Sequence, residues 1–193
     1  RHDRPLDKTA VELTVRGIPG GRCTAHVDNG TQVGDRGNCE GPLGEFTVRE
    51  GPRAILCVAC ASDVAPIKSI VEDAFERGLQ RPMRLYWGVR RREDLYMLAL
   101  PERWQREHDN FRVVPVLSHP EPEDAWTGRT GLVHQAMLAD FADLTGYEVY
   151  VCGSLKMVEA AVPAFMAQGL PDDACFSDAF LPAGGSAETP LGQ

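Results

Sequence analysis

The chain has 193 residues, 43% of them apolar and 25% charged, the composition of a globular protein able to bury a sizeable core. No apolar run approaches the roughly 20 residues of a bilayer-spanning helix, and the charged start RHDRPLDKTA is not followed by an apolar stretch. Neither a membrane anchor nor a secretory signal is expected, and the expected location is cytoplasmic. The net charge of −8 is uneven: residues 116–193 carry 2 basic and 11 acidic groups. That balance argues against general nucleic-acid binding, which needs a basic footprint, and leaves a solvated acidic face or a docking surface for a basic partner.

In chain order, VELTVR (11–16) alternates apolar and polar residues as a half-buried strand does. IPGGRCTAHVDNG follows, a Gly-rich turn with Thr24 where a short helix could begin. GPLGEFTVRE then places Gly41-Pro42 and Gly44 before a short FTV strand, as small antiparallel barrels do. The first fifty residues read as all-β.

Near Pro52 the pattern changes. Apolar runs at 54–59 (AILCVA), 84–89 (RLYWGV), 111–117 (FRVVPVL) and 147–152 (YEVYVC) alternate with helix-like segments at 65–78, 95–108, 130–141 and 155–169. A last short strand around ACFSDAF closes the series. Such alternation predicts an α/β fold, a doubly wound parallel five-stranded sheet covered on both faces. Ligands of such sheets bind outside the carboxyl ends of the strands, where the strand order reverses. That rule selects the loops CASDVAP, GVRRRED, SHPEPEDAWTGRT, CGSLKM and SDAF.

In the first of these, Pro66 suits the opening turn of a helix, whose free N–H groups and dipole favour a phosphate, and Ser62 adds a hydroxyl. Asp63 acts in the opposite sense: it either caps the helix or repels a diphosphate. Arg90, Arg91 and Arg92 end the second run, where cations reach a nucleotide's ribose or phosphate, unless they pair with Glu93 and Asp94 at the surface. Cys152-Gly153 ends the fourth; Gly153 permits close approach of a cofactor, although packing alone also accounts for the pair.

The six cysteines are scattered, as in a reduced cytosolic protein. Cys57 and Cys60 have C-x-x-C spacing, but thiol redox chemistry would need both accessible, and Cys57 falls within a strand. The ferredoxin spacing C-x4-C-x2-C is absent, five dispersed histidines offer no metal-ligand spacing, and no G-x-S-x-G elbow supports a hydrolase. No metal is expected.

The ordered set GGRCTAHV, GPLGEF, VAPIKSIVEDA, RLYWGVRRREDLY, WTGRTGLVHQA, VYVCGSLKMVEAA and FSDAF closely resembles the ferredoxin-NADP reductase superfamily, specifically the NADH-dependent flavin reductase components of oxygenases. The resemblance spans residues 10 to about 183. It implies a flavin β-barrel packed on a nicotinamide-nucleotide domain, with NAD(P)H and FAD as cofactors and an iron–sulfur protein or oxygenase component as partner. By the same resemblance, Gly21, Cys23 and Thr24 support the flavin diphosphate, and Ser62, Asp63 and Pro66 occupy the nucleotide loop. Arg90 and Asp94 match a G-x-R-x-x-x-D pattern, Cys152, Gly153 and Met157 lie at the nicotinamide, and Phe180 lies near the flavin ring. Cys152 and Phe180 are the catalytic candidates.

The resemblance divides the chain into the carboxyl-terminal half of a flavin barrel (1–51), a nucleotide-binding α/β domain (52–183) and a flexible tail (184–193). Two departures stand out. The R-x-Y-S flavin motif falls before the start of this sequence, so a truncated flavin domain is expected. The G-G-T-G nucleotide loop reads Cys60-Ala61-Ser62-Asp63, which predicts weakened nucleotide binding. Cys-Gly-Ser-Leu in place of C-G-P-P is a milder change. The alternative is a non-catalytic interaction domain that keeps the fold and binds no cofactor.

Overall fold

The computed structural model describes residues 10, 12–17, 20–38, 41 and 44–180. The expected tail and the first nine residues lie outside them, as do Val11 and Pro42 of the expected barrel segments. Helix α1 (Arg22–Gly30) comes first, opening at the Gly-rich turn. The sheet follows: β1 (Ala54–Cys60), β2 (Met83–Val89), β3 (Phe111–Leu117), β4 (Arg129–Thr130), β5 (Tyr147–Ser154) and β6 (Cys175–Phe180), all parallel, in the order β4-β3-β2-β1-β5-β6. The strand order reverses between β1 and β5, with Ala59 paired to Cys152.

Alternation along β1 builds two cores. Ile55, Cys57 and Ala59 face a cluster with α2 (Val64–Glu76) and α3 (Ala99–Glu107), through Ile67, Ile70 and Trp104. Leu56 and Val58 face a second cluster with α4 (Val133–Leu138) and α5 (Leu155–Ala167), through Met137, Val158 and Phe165. Burial on both faces is why these strands read as unbroken apolar runs. The open, doubly wound α/β sheet stands as expected, with one strand more than the five read from sequence. The addition is the two-residue β4, too short to carry a periodicity, so α4 starts at Val133 rather than near Thr130.

Among the described residues no strand precedes Ala54. Residues 12–17 form no strand: Leu13 and Val15 are exposed, and Thr14 between them is half-buried. Alternation marks which face a strand would bury, and here the apolar side chains are not the buried ones. The stretch 45–53 is nonetheless fixed to the sheet. The Arg81 guanidinium donates to the carbonyls of Arg53 (2.6 Å) and Arg49 (2.8 Å) and pairs with buried Glu148 (2.6 Å). Arg49 N–H donates to the Tyr150 hydroxyl at 2.8 Å, Phe46 meets the Tyr150 ring edge-on, and Val48 joins the first core. These contacts gather near the amino-terminal ends of the strands, away from the site described next.

Candidate functional site

Register brings three strand tips together: Cys60 pairs with Gly88 of β2, and Ala59 with Cys152 of β5. Above them a cleft of about 720 Å³ opens, within the usual range of cofactor sites. Ser62, Arg90, Asp94 and Met157, singled out in sequence from three separate loops, line it together.

After β1 the chain makes a 3-10 turn (Ala61–Asp63) into α2. Ala61 has φ +47°, the left-handed conformation that a side chain resists and glycine accepts. The backbone has kept a glycine's geometry where the resembling loops carry glycine. Asp63 occupies the N-cap position of α2, yet its side chain makes no capping hydrogen bond. Burial and the Asp63 charge together push the Cys60 thiol up to about 11. Pro66 is the third residue of α2, half-buried, and neither it nor Asp63 lines the cleft.

At the tip of β2 the three arginines separate. Arg91 Nε donates to Asp124 Oδ2 at 2.7 Å, and Arg92 donates to the Asp124 carbonyl at 3.1 Å. The Glu121 backbone N–H and the Arg91 guanidinium hold the Asp124 carboxyl below its usual range. Asp94 accepts from the Arg91 N–H at 3.0 Å and closes the local turn. The surface pairing considered for this cluster is therefore made to Asp124 and Glu121, from the loop after β3, as well as within the cluster itself. Among the described residues the Arg90 guanidinium has no hydrogen bond or ion pair, and it is exposed on the cleft wall.

At the tip of β5, Cys152 is 0% exposed and belongs to the first core. Gly153 lies beneath Met157, whose Cε would come within 2.3 Å of a Cβ built there. Ser154 Oγ caps α5, accepting from the Met157 N–H at 3.3 Å, and Phe180 sits beside Ser154 in the β5–β6 register.

Residues 58–162, more than half of the chain, match the family described as the oxidoreductase NAD-binding domain. This chain belongs to that family. It is 38% identical over 173 residues to CDP-6-deoxy-L-threo-D-glycero-4-hexulose-3-dehydrase reductase of Yersinia pestis, covering 90% of this chain and 52% of that protein. It is 33% identical over 185 residues to the phenol hydroxylase P5 protein of Acinetobacter pittii, covering 95% and 52%. The crystal structure of the Amycolatopsis cytochrome P450 reductase GcoB superposes with a TM-score of 0.80 at 32% identity, over 88% of this chain and 51% of that one. These relatives bear out the resemblance to oxygenase-type reductases read from the motifs. The chain spans about half the length of the curated relatives it matches.

The NAD-binding domain thus gathers part of the predicted set and leaves part outside the cleft. Gly21 is the N-cap of α1, and Thr24 Oγ1 donates back to the Gly21 carbonyl at 3.1 Å. Cys23 lies in the same helix; Gly21 and Thr24 do not line the cleft. Gly21, as N-cap, makes no side-chain capping hydrogen bond to α1. Cys57 is wholly buried, which removes the accessibility that a Cys57–Cys60 redox pair requires. Sequence reasoning did not single out Tyr96, Leu132 and His134, which line the cleft although the motifs RLYWGVRRREDLY and WTGRTGLVHQA contain them. Among the described residues no helix is long and apolar enough to cross a membrane.

Proposed function

We propose that this chain carries the nicotinamide-nucleotide domain, with part of the flavin domain, of an NADH-dependent flavin oxidoreductase that delivers electrons to an iron–sulfur protein or oxygenase component in the cytoplasm. The observation that carries this reading is a cleft over β1, β2 and β5, on which Ser62, Arg90, Asp94 and Met157 converge. The matches to reductase components support it.

When bound, the nicotinamide supplies a hydride and the flavin parts the electron pair for one-electron acceptors. The protein's task is binding and orientation. In this reading residues 1–51 belong to the flavin barrel and 52–183 to the nucleotide domain, and the opening turn of α1 at Gly21–Thr24 holds the flavin diphosphate. The Ser62 hydroxyl and the amino end of α2 face the nucleotide diphosphate, with Asp63 opposing it. Arg90 reaches the ribose or phosphate of the adenosine half. Gly153, once Met157 swings aside, lets the nicotinamide approach β5, with Cys152 supporting that tip from the core and Phe180 at its flank.

Isothermal titration of the purified chain with NADH and NADPH tests the reading. Saturable heat that ADP-ribose displaces is expected; no heat and no displacement at millimolar nucleotide would overturn it.

A further inference from the structure

His134, the second residue of α4, is 7% exposed, yet it forms part of the cleft wall. Its Nδ1 is buried and, among the described residues, without a hydrogen-bond partner. A desolvated ring nitrogen left unpaired is unfavourable, and such atoms are rare in folded proteins. The site is not loose enough to relieve it by a shift of the helix. Val133, one residue earlier, packs so closely on β2 that a Cβ at Gly88 would lie 2.6 Å from the Val133 Cβ. This contact fixes the start of α4 against the cleft floor.

Burial holds the imidazole pKa below its ordinary value, so the ring is neutral at pH 7 and presents one donor and one acceptor. A neutral ring suits an uncharged hydroxyl or heterocyclic nitrogen better than a phosphate. The surroundings indicate which half of a dinucleotide brings such a group. α4 enters from β4 and packs on β2 and β3 as well as β1, on the opposite side of the switch point from Gly153 and Met157. Beside it the cleft wall carries Leu132, 51% exposed, and Tyr96, 53% exposed and edge-on to Trp87 at 5.6 Å. They offer flat contact area to a planar base.

We infer that His134 is a nucleotide-binding residue, its imidazole hydrogen-bonding an uncharged group, a purine nitrogen or ribose hydroxyl, on the adenosine half of the bound dinucleotide. The inference rests on the reading of the cleft as a nicotinamide-nucleotide site. The bound nucleotide gives the ring a hydrogen-bond partner at the cleft wall.

The test is titration of the full chain with ADP-ribose and with NADH, using His134→Phe, which keeps a ring but cannot hydrogen-bond, and His134→Gln, which restores a donor and an acceptor. For His134→Phe, affinity for both ligands is expected to fall about tenfold, by the same factor, with partial recovery in His134→Gln. The melting temperature of the ligand-free protein is expected to hold or rise in His134→Phe, because an unpaired polar atom has been removed; a purely structural histidine would lower it. Unchanged affinities in His134→Phe overturn the role of His134 and leave the reductase reading intact. So does a loss seen with NADH and not with ADP-ribose, or a loss of affinity accompanied by a fall in melting temperature. A wild-type chain that binds neither ligand overturns the reductase reading itself, and this inference with it.

Discussion

The indole N–H of Trp87 donates to the carbonyl of Ala61 at 2.9 Å, so a side chain rising from β2 holds the loop at the tip of β1. Ala61 lines the cleft, and Trp87 is itself wholly buried in the first core. Trp87→Phe removes the donor, leaves a cavity and releases the carbonyl of a loop already in a demanding conformation. Urea unfolding is expected to show a loss of about 3 kcal/mol. Nucleotide affinity should fall severalfold as the loop loosens; a stability loss with affinity intact would show that the bond does not shape the site.

Ala61 supplies a second test because its φ of +47° sets two effects against each other. Glycine there relieves left-handed strain of about 1 to 2 kcal/mol, and costs about 0.4 to 1 kcal/mol through the freer unfolded chain. Ala61→Gly is expected to raise unfolding stability by about 0.5 to 1 kcal/mol. An Ala→Gly change in an unstrained loop lowers it, so the sign measured by denaturant titration decides whether this loop keeps a glycine's backbone.

Asp63 weakens anion binding by charge alone. A carboxylate about 4 Å from a phosphate costs about 1 kcal/mol in water and about 4 kcal/mol at an effective dielectric near 20. Because the side chain makes no capping bond to α2, removing its charge forfeits no cap. Asp63→Asn is expected to tighten NADH binding tenfold or more in calorimetric titration. An affinity that stays put would mean that the diphosphate does not pass this loop.

The sheet was legible because strands buried on both faces leave long apolar runs, and Ile55 to Ala59 announce β1 without any partner in view. The positions of Ser62, Arg90, Asp94 and Met157 followed from the rule that ligands sit at carboxyl strand ends. What the sequence hid was placed by register or by long-range contact. Arg90, Arg91 and Arg92 are identical in type, and only the approach of Asp124 from another loop separates one available guanidinium from two engaged ones. Cys152 and Gly153 are neighbours in sequence, but the strand period of two turns the first into the core while the second lies under Met157. The alternating stretch 12–16 shows the converse, a strand pattern that forms no strand among the described residues.

Alkaline pH should destabilise the fold. Burial, aided by Asp63, raises the Cys60 thiol from about 9 to about 11, burial alone raises Cys175 to about 11, and Cys57 and Tyr150 are pushed up further, first by burial. A group that holds its proton more tightly when folded contributes its full stability below the unfolded pKa and loses it as pH rises through the folded one. Stability should therefore be level up to about pH 9 and decline towards pH 11, with Cys60 accounting for about 2 to 3 kcal/mol. Chemical unfolding across that range checks the slope, and Cys60→Ala should flatten part of it. At pH 8 alkylation of Cys60 in the native protein should be slow, and Asp63→Asn should speed it.

The arginine cluster yields a pair of substitutions with opposite signatures. Arg90 is exposed on the cleft wall with no partner among the described residues, so Arg90→Ala should leave the melting temperature unchanged. Its guanidinium is free to meet a nucleotide phosphate, and the 2′-phosphate of NADPH adds one more than NADH carries. Arg90→Ala is expected to weaken NADPH about tenfold and NADH by less. Arg91 is committed to Asp124, which is 8% exposed and also accepts from the Glu121 and Arg92 N–H groups. Arg91→Ala strips a buried carboxylate of its charged partner and should lower the melting temperature, with equal and secondary effects on the two nucleotides. Differential scanning calorimetry beside titration with both nucleotides separates the two roles. If Arg90→Ala changes stability, or Arg91→Ala selectively impairs NADPH, the division of labour at the tip of β2 is the reverse of the one the geometry gives.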